Sequence, residues 1–153
     1  MLLQLRRNLR IRPCHRFLRL HYRDAHLPQS FQILDASDQL AVVKRLLKQL
    51  GIAEETVAPR VLQGFINAQK ESGLRAEHLE VPDPHTKQLI ECYAQYDELC
   101  RREGVVDFAE LMLRSYEVLR QNAALRTHYQ QRFRHILVDE FQDTNTLQYE
   151  WLK

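Results

Sequence analysis

The strongest chemical signal in this sequence lies near its carboxyl end. The run His135-Ile136-Leu137-Val138 leads directly into Asp139-Glu140, with Gln142 and Asp143 close behind. A short aliphatic run without polar alternation reads as a strand buried on both faces, the kind found in parallel sheets. Acids at the carboxyl edge of such a sheet stand where open α/β folds bind ligands. Two adjacent carboxylates there suit nucleoside-triphosphate hydrolysis: one holds the Mg²⁺ that bridges the phosphates, and its neighbour orients or deprotonates the attacking water. Taken alone, the same residues also read as an exposed acidic turn. A metal-dependent hydrolase using Asp139, Glu140 and Asp143 ranks lower, because no histidine is spaced to complete the site and His135 reads as a strand-edge residue.

The elements that must position this pair read mostly as helices. From Asp38 to Leu50, Leu40, Val43, Leu46, Leu47 and Leu50 recur at steps of three and four, with Gly51 where a left-handed residue ends a helix. A second helix starts near Pro59, presents Val61, Leu62, Phe65 and Ile66, and stops at Gly73. Gly64 inside it predicts a close helix–helix approach. Asp83-Pro84 opens a long helix to Glu103, with Leu89, Tyr93, Tyr96 and Cys100 on one stripe and Gly104 beyond it. The spacing of Asp107 and Glu110 resembles a capping box and opens a fourth helix through Phe108, Leu111, Met112, Tyr116 and Leu119. A short helical segment over 144–153, bearing Leu147 and Trp151, comes after the acids. The only other strand candidate is the stretch from Phe31 to Leu34, so the apolar run at 136–138 has no convincing partner and its backbone groups need one. The fold expected is therefore mainly α plus one strand and a short helix of an incomplete α/β domain, a piece of a larger protein whose carboxyl-terminal third would be dynamic.

With 153 residues, 44% hydrophobic and 27% charged, the chain is sized for one modest core. No run of about 18 apolar residues occurs, as a membrane-spanning helix would need. Cys14, Cys92 and Cys100 form no Cys-x-x-Cys pair, which argues against a disulfide framework or zinc knuckle. A reducing, cytoplasmic setting fits the three, and Cys92 and Cys100, spaced along one helix, read as small buried hydrophobes. Charge is uneven. Met1 to Arg23 holds seven arginines and no acid, whereas residues 24–153 hold 15 bases against 20 acids. The acidic remainder does not mark a generic binder of phosphate backbones. The arginine-rich start reads as a basic nucleic-acid arm, an organelle presequence, or residues foreign to the rest of the chain.

The string Val138-Asp139-Glu140-Phe141-Gln142-Asp143-Thr144-Asn145, then Gln148-Tyr149, resembles motif II of the UvrD/Rep/PcrA family of superfamily 1 DNA helicases. The resemblance extends upstream. Gly104-Val105-Val106-Asp107-Phe108-Ala109-Glu110-Leu111 is similar to the Asp-Phe-x-x-Leu segment that closes the family's helical 1B subdomain. Leu27 to Asp35 is similar to the start of 1B, and Ile66-Asn67-Ala68-Gln69-Lys70 to its middle. The resemblance implies a non-matching basic segment over 1–14, a 1B-like region over 15–131, and over 132–153 part of a P-loop NTPase core with motif II, the Walker B element. It implies Mg²⁺ and ATP as ligands, with Asp139 as the metal carboxylate, Glu140 as the residue that activates water, and Gln142 as the sensor of the γ-phosphate. It implies DNA, single-stranded and at duplex junctions, as the partner, and unwinding 3′ to 5′. Asp107 and Phe108 read as cap and core.

The departures also carry weight. None of Gly51, Gly64, Gly73 or Gly104 is followed by lysine, so these residues contain no Gly-x-x-x-x-Gly-Lys-Ser/Thr loop to cradle phosphates. His15-Arg16-Phe17-Leu18-Arg19 resembles the end of a family segment whose preceding residues, Arg10 to Cys14, do not fit, which suggests a shifted reading frame or misplaced start before residue 15. Such a chain is expected to be inactive alone. The competing reading is a non-catalytic helical module that binds DNA or a protein.

Overall fold

The structure, a computed structural model, describes residues 2–5, 11–132, 135–138 and 150. It is mainly helical. In chain order come β1 (Leu2–Leu5), α1 (Ile11–Leu20), β2 (Gln32–Leu34), α2 (Ala36–Gln49), α3 (Pro59–Glu71), a 3₁₀ turn (Ala76–His78), α4 (Pro84–Glu103), β3 (Val105–Asp107), α5 (Phe108–Gln121), α6 (Ala123–Arg132) and β4 (His135–Val138). The chain forms two compact units, one of residues 1–29 with 110–153 and the other of residues 30–109. These units follow packing, whereas the boundaries after residues 14 and 131 follow motif resemblance.

In the 30–109 unit, α2, α3 and α4 pack through Val43, Leu46 and Leu47, Leu62 and Ile66, and Leu89, Cys92, Tyr93, Tyr96 and Cys100. Local signals set the helix ends. Asp83 accepts the Thr86 amide at 2.8 Å to cap α4, and Pro84 fills the position where a missing N–H costs nothing. Gly51, Gly73 and Gly104 all take positive φ (68°, 79° and 66°) just past α2, α3 and α4, as expected. The cap of α2 is Asp35, which accepts the Asp38 amide at 2.8 Å, so the helix begins at Ala36, before the Asp38 read from periodicity.

Three expectations are corrected. The strand run has a partner after all: β4 pairs in parallel with β1, Leu2 opposite His135 through Leu5 opposite Val138. The Leu2-Leu3-Gln4-Leu5 run gives little strand signal because arginines follow it at once. The stretch from Phe31 to Leu34 is not the only other strand: β2 forms there and pairs in parallel with β3, Gln32 opposite Val105. Val105-Val106-Asp107 is too short to signal a strand by itself, and its pairing is a tertiary fact. Phe108 is not core but 42% exposed, and Val61 is exposed as well. The helix expected over 144–153 lies outside the described residues, apart from helical Glu150.

Gly64 is corrected too. A Cβ built there meets nothing within 4 Å, so no neighbouring helix requires glycine. Replacing it with alanine should add helix propensity and reduce the freedom of the unfolded chain without a clash. Gly64→Ala is expected to stabilise the fold by about 0.5–1 kcal/mol in a urea titration. A loss of stability would mean that the open space at α3 is filled in solution.

Candidate functional site

Asp139, Glu140 and Gln142 lie outside the described residues, so the structure bears on them through the strand that leads to them. β4 forms where the sequence placed it and ends at Val138, one residue before Asp139. It runs parallel to β1, with Leu5 opposite Val138, so both strands end at the same edge. In a parallel pair this carboxyl edge is where α/β folds gather ligands. The donor set just beyond β4 suits Mg²⁺, a hard cation that takes one or two carboxylates alongside phosphate oxygens and water. Among the described residues no three His, Cys, Asp or Glu side chains converge as a metal site.

The described residues contain a second polar cluster that the sequence reading did not single out. Lys70 of α3 is 1% exposed, and its Nζ lies 2.9 Å from Oδ2 of Asp107, itself 2% exposed, and 3.1 Å from Oδ1 of Asp97. Tyr96 donates its hydroxyl to Asp107 Oδ2 at 2.8 Å, and Gln39 Nε2 donates to the same oxygen at 3.3 Å. Gln39 also donates to Asn67 Oδ1 at 2.8 Å and accepts from Gln63 Nε2 at 3.1 Å. Arg75 closes the chain on Asp97 at 3.2 Å. The ammonium lies 5.1 Å from the Tyr96 ring centroid and 5.9 Å from that of Tyr93.

This cluster joins α2, α3, α4 and β3 around one buried carboxylate. Burial, together with the negative Asp107, pushes the Tyr96 phenol far above its usual range, which keeps it a donor. Lys70 and Arg75 face Asp97 and Asp107 in the cluster, which holds Asp107 at the junction of β3 and α5. Asp107 is therefore buried structure, as expected, but as an ion-pair partner whose Oδ2 is engaged in the core. The signal for Lys70 was present: it follows Leu62 and Ile66 at steps of four, a lysine on the apolar stripe of α3. Isolated burial of charge is so costly that such a lysine implies a carboxylate opposite.

Cys92 and Cys100 are buried as read, Cys14 is buried too, and all three are free. Burial raises all three thiols, Cys14 and Cys100 to about 12, so they stay protonated and are poor nucleophiles at neutral pH. No helix among the described residues is long and apolar enough to cross a membrane.

Comparison with known proteins extends the motif string to nearly the whole chain. The profile of the UvrD/REP helicase N-terminal domain matches residues 12–153. DNA helicase II of Escherichia coli is 47% identical over 140 residues, covering 91% of this chain and 19% of the relative. The protein of the same name from Haemophilus influenzae is 48% identical over the same span and shares. The ATP-dependent DNA helicase PcrA of Staphylococcus aureus is 31% identical over 142 residues, covering 92% of this chain and 20% of the relative. The chain thus spans about one fifth of the length of the relatives it matches.

Proposed function

The chain belongs to the UvrD/REP helicase family, and from that membership we propose that residues 12–153 are part of an ATP-dependent DNA helicase. Its work would be 3′ to 5′ unwinding in repair or replication, in the cytoplasm, with single-stranded DNA and duplex junctions as substrates. The observation that carries this reading is the parallel-paired strand β4 running straight into Asp139-Glu140-Phe141-Gln142, within a match that spans residues 12–153. On this reading residues 15–131 are the 1B-like helical region and residues 132–153 belong to the ATPase core.

The roles are those that the resemblance to motif II implies. Bound Mg²⁺–ATP supplies a γ-phosphoryl group whose charge the ion partly neutralises. Asp139, the first carboxylate after β4 in sequence and the one that matches the family motif, would hold the ion. Glu140 orients the attacking water and takes its proton. Gln142, two residues on, would sense the γ-phosphate.

These 153 residues contain no Gly-x-x-x-x-Gly-Lys-Ser/Thr sequence. Two carboxylates without a phosphate cradle cannot fix a triphosphate in line with water, and positioning supplies much of such catalysis. The purified 153-residue polypeptide is therefore expected to hydrolyse ATP at no more than background rate in a coupled assay with Mg²⁺ and single-stranded DNA. Robust Mg²⁺-dependent turnover by this polypeptide would overturn the assignment of roles.

A further inference from the structure

The pairing of β1 with β4 joins residues about 130 positions apart through four residues per strand. A two-stranded pair of that size is marginal by itself, and closing so long a loop is costly. A second tie therefore has to hold the two strands near one another, and the elements adjoining them supply it. After residues 6–10, β1 is followed by α1; before residues 133–134 and β4 comes α6.

These two helices meet at Tyr129. Its ring lies edge-on to Phe17 at 5.2 Å between centroids and to His21 at 5.7 Å, and its hydroxyl lies 2.9 Å from His21 Nε2. Phe17 belongs to the buried side of α1, with Cys14 and Leu18. The His21 amide continues that helix by donating to the Phe17 carbonyl at 2.9 Å, and its Nδ1 lies 3.6 Å from Asp24 Oδ2. The imidazole is thus held on both of its nitrogens. Helix α6 fully buries none of its residues. Its seat depends on side chains such as the half-buried Tyr129 that reach a buried neighbour.

With Tyr129 seated on Phe17, the chain to be closed for β1 to meet β4 is far shorter. It falls from about 130 residues to about 20, twelve from Leu5 to Phe17 and six from Tyr129 to His135. By the three-halves power of loop length, pairing becomes about 15-fold more favourable. From Arg132 to His135 the chain spans at most roughly 11 Å, so α6 cannot move far without carrying the start of β4.

We propose that Tyr129 is a positioning residue for the acids that follow β4: seated on Phe17 and His21, it closes onto β1 the strand that leads into Asp139 and Glu140. It acts through that strand and takes no part in the chemistry. The inference rests on the hydrolytic reading above for what the strand serves, while the closure itself is tested without nucleotide.

The test is amide hydrogen exchange of the 153-residue chain by NMR, followed by titration with Mn²⁺ as a probe for Mg²⁺. Tyr129→Ala removes the ring and hydroxyl and leaves a better helix former in α6. The amides of residues 135–138 should then exchange about tenfold faster or more, with those of α2, α3 and α4 unchanged. Tyr129→Phe keeps the ring contacts and loses one hydrogen bond, so β4 should exchange only about two- to fivefold faster. Gln130→Ala, at an exposed position of α6, should match the wild type. Broadening of the Val138 amide by Mn²⁺ should need severalfold more metal in Tyr129→Ala than in the wild type, and Tyr129→Phe should restore most of the response. Unchanged exchange of β4 in Tyr129→Ala would overturn the proposal, as would equal loosening by Gln130→Ala or a metal response that does not follow the strand. If Tyr129→Ala also unfolds α1 and α5, Tyr129→Phe decides: faster exchange confined to β4 and α6 supports the role, and an even rise across the unit overturns it. Absence of Mn²⁺ broadening near Val138 in the wild type, with the exchange results as expected, would instead defeat the hydrolytic reading and with it the positioning role, leaving Tyr129 a fixture of the fold.

Discussion

Lys70→Met is expected to destabilise the 30–109 unit by about 3–5 kcal/mol, the cost typical of removing one partner from a buried ion pair. The substitution keeps the length and apolar stem of the side chain, so little packing is lost. What changes is Asp107, which stays 2% exposed and loses the ammonium from its Oδ2, where Tyr96 and Gln39 also donate. An uncompensated carboxylate at that depth must either protonate or draw in water, and both work against the packing of α2, α3 and α4. Asp107→Asn should cost less, because Lys70 retains Asp97, which is partly exposed to solvent. The double substitution Lys70→Met, Asp107→Leu should recover much of the single loss, since exchanging a buried pair for apolar groups is often near neutral. Urea titrations of the wild type, Lys70→Met, Asp107→Leu and the double variant close the cycle. A loss below about 1 kcal/mol for Lys70→Met would mean that the lysine reaches water in solution and that the cluster is not a buried lock.

Much of this architecture was legible because its signals are local. Pro59 and Pro84 open helices, Asp83 caps one, and three glycines with positive φ close them, each through the backbone of a few neighbouring residues. The Leu89, Tyr93, Tyr96 and Cys100 stripe is buried as periodicity requires. What was missed depends on partners distant in sequence. β1 and β4 pair across some 130 residues, and β2 and β3 across some 70, with three or four residues per strand. Asp107 shows the ambiguity most clearly. Its spacing to Glu110 reads as a capping box, and its carboxylate is also engaged by Lys70 from another helix. Only the position of Lys70 on the apolar face of α3 could have hinted at that. The arginine segment was read as a linear feature, whereas α1 and α6 bring residues more than a hundred positions apart into one unit. Of the candidate site, the sequence alone conveys Asp139, Glu140 and Gln142. The pairing of the preceding strand with β1 is the part the fold adds.

The second large effect concerns that site. On the proposed roles, Glu140 takes a proton from water while Asp139 holds the ion, so their loss should look different. A chimaera in which residues 12–153 replace the matching segment of the Escherichia coli DNA helicase II would supply the remaining parts of a motor. In it, Asp139→Ala should raise the Mg²⁺ concentration needed for turnover. Glu140→Gln keeps the size and hydrogen-bonding shape of the side chain and removes the base. It should lower kcat for ATP hydrolysis by about 10²–10⁴, the usual worth of general-base catalysis. The KM for ATP should change little, since the effect falls on the transition state and not on ground-state binding.

Steady-state ATP turnover of this chimaera, with and without Glu140→Gln, is the most direct measurement of whether the acids after β4 are hydrolytic. A fall of about a hundredfold or more, with nucleotide binding retained, is the predicted result. Turnover within about twofold of the unsubstituted chimaera would contradict the account, because an exposed acidic turn would then explain Asp139 and Glu140 as well as a motor does.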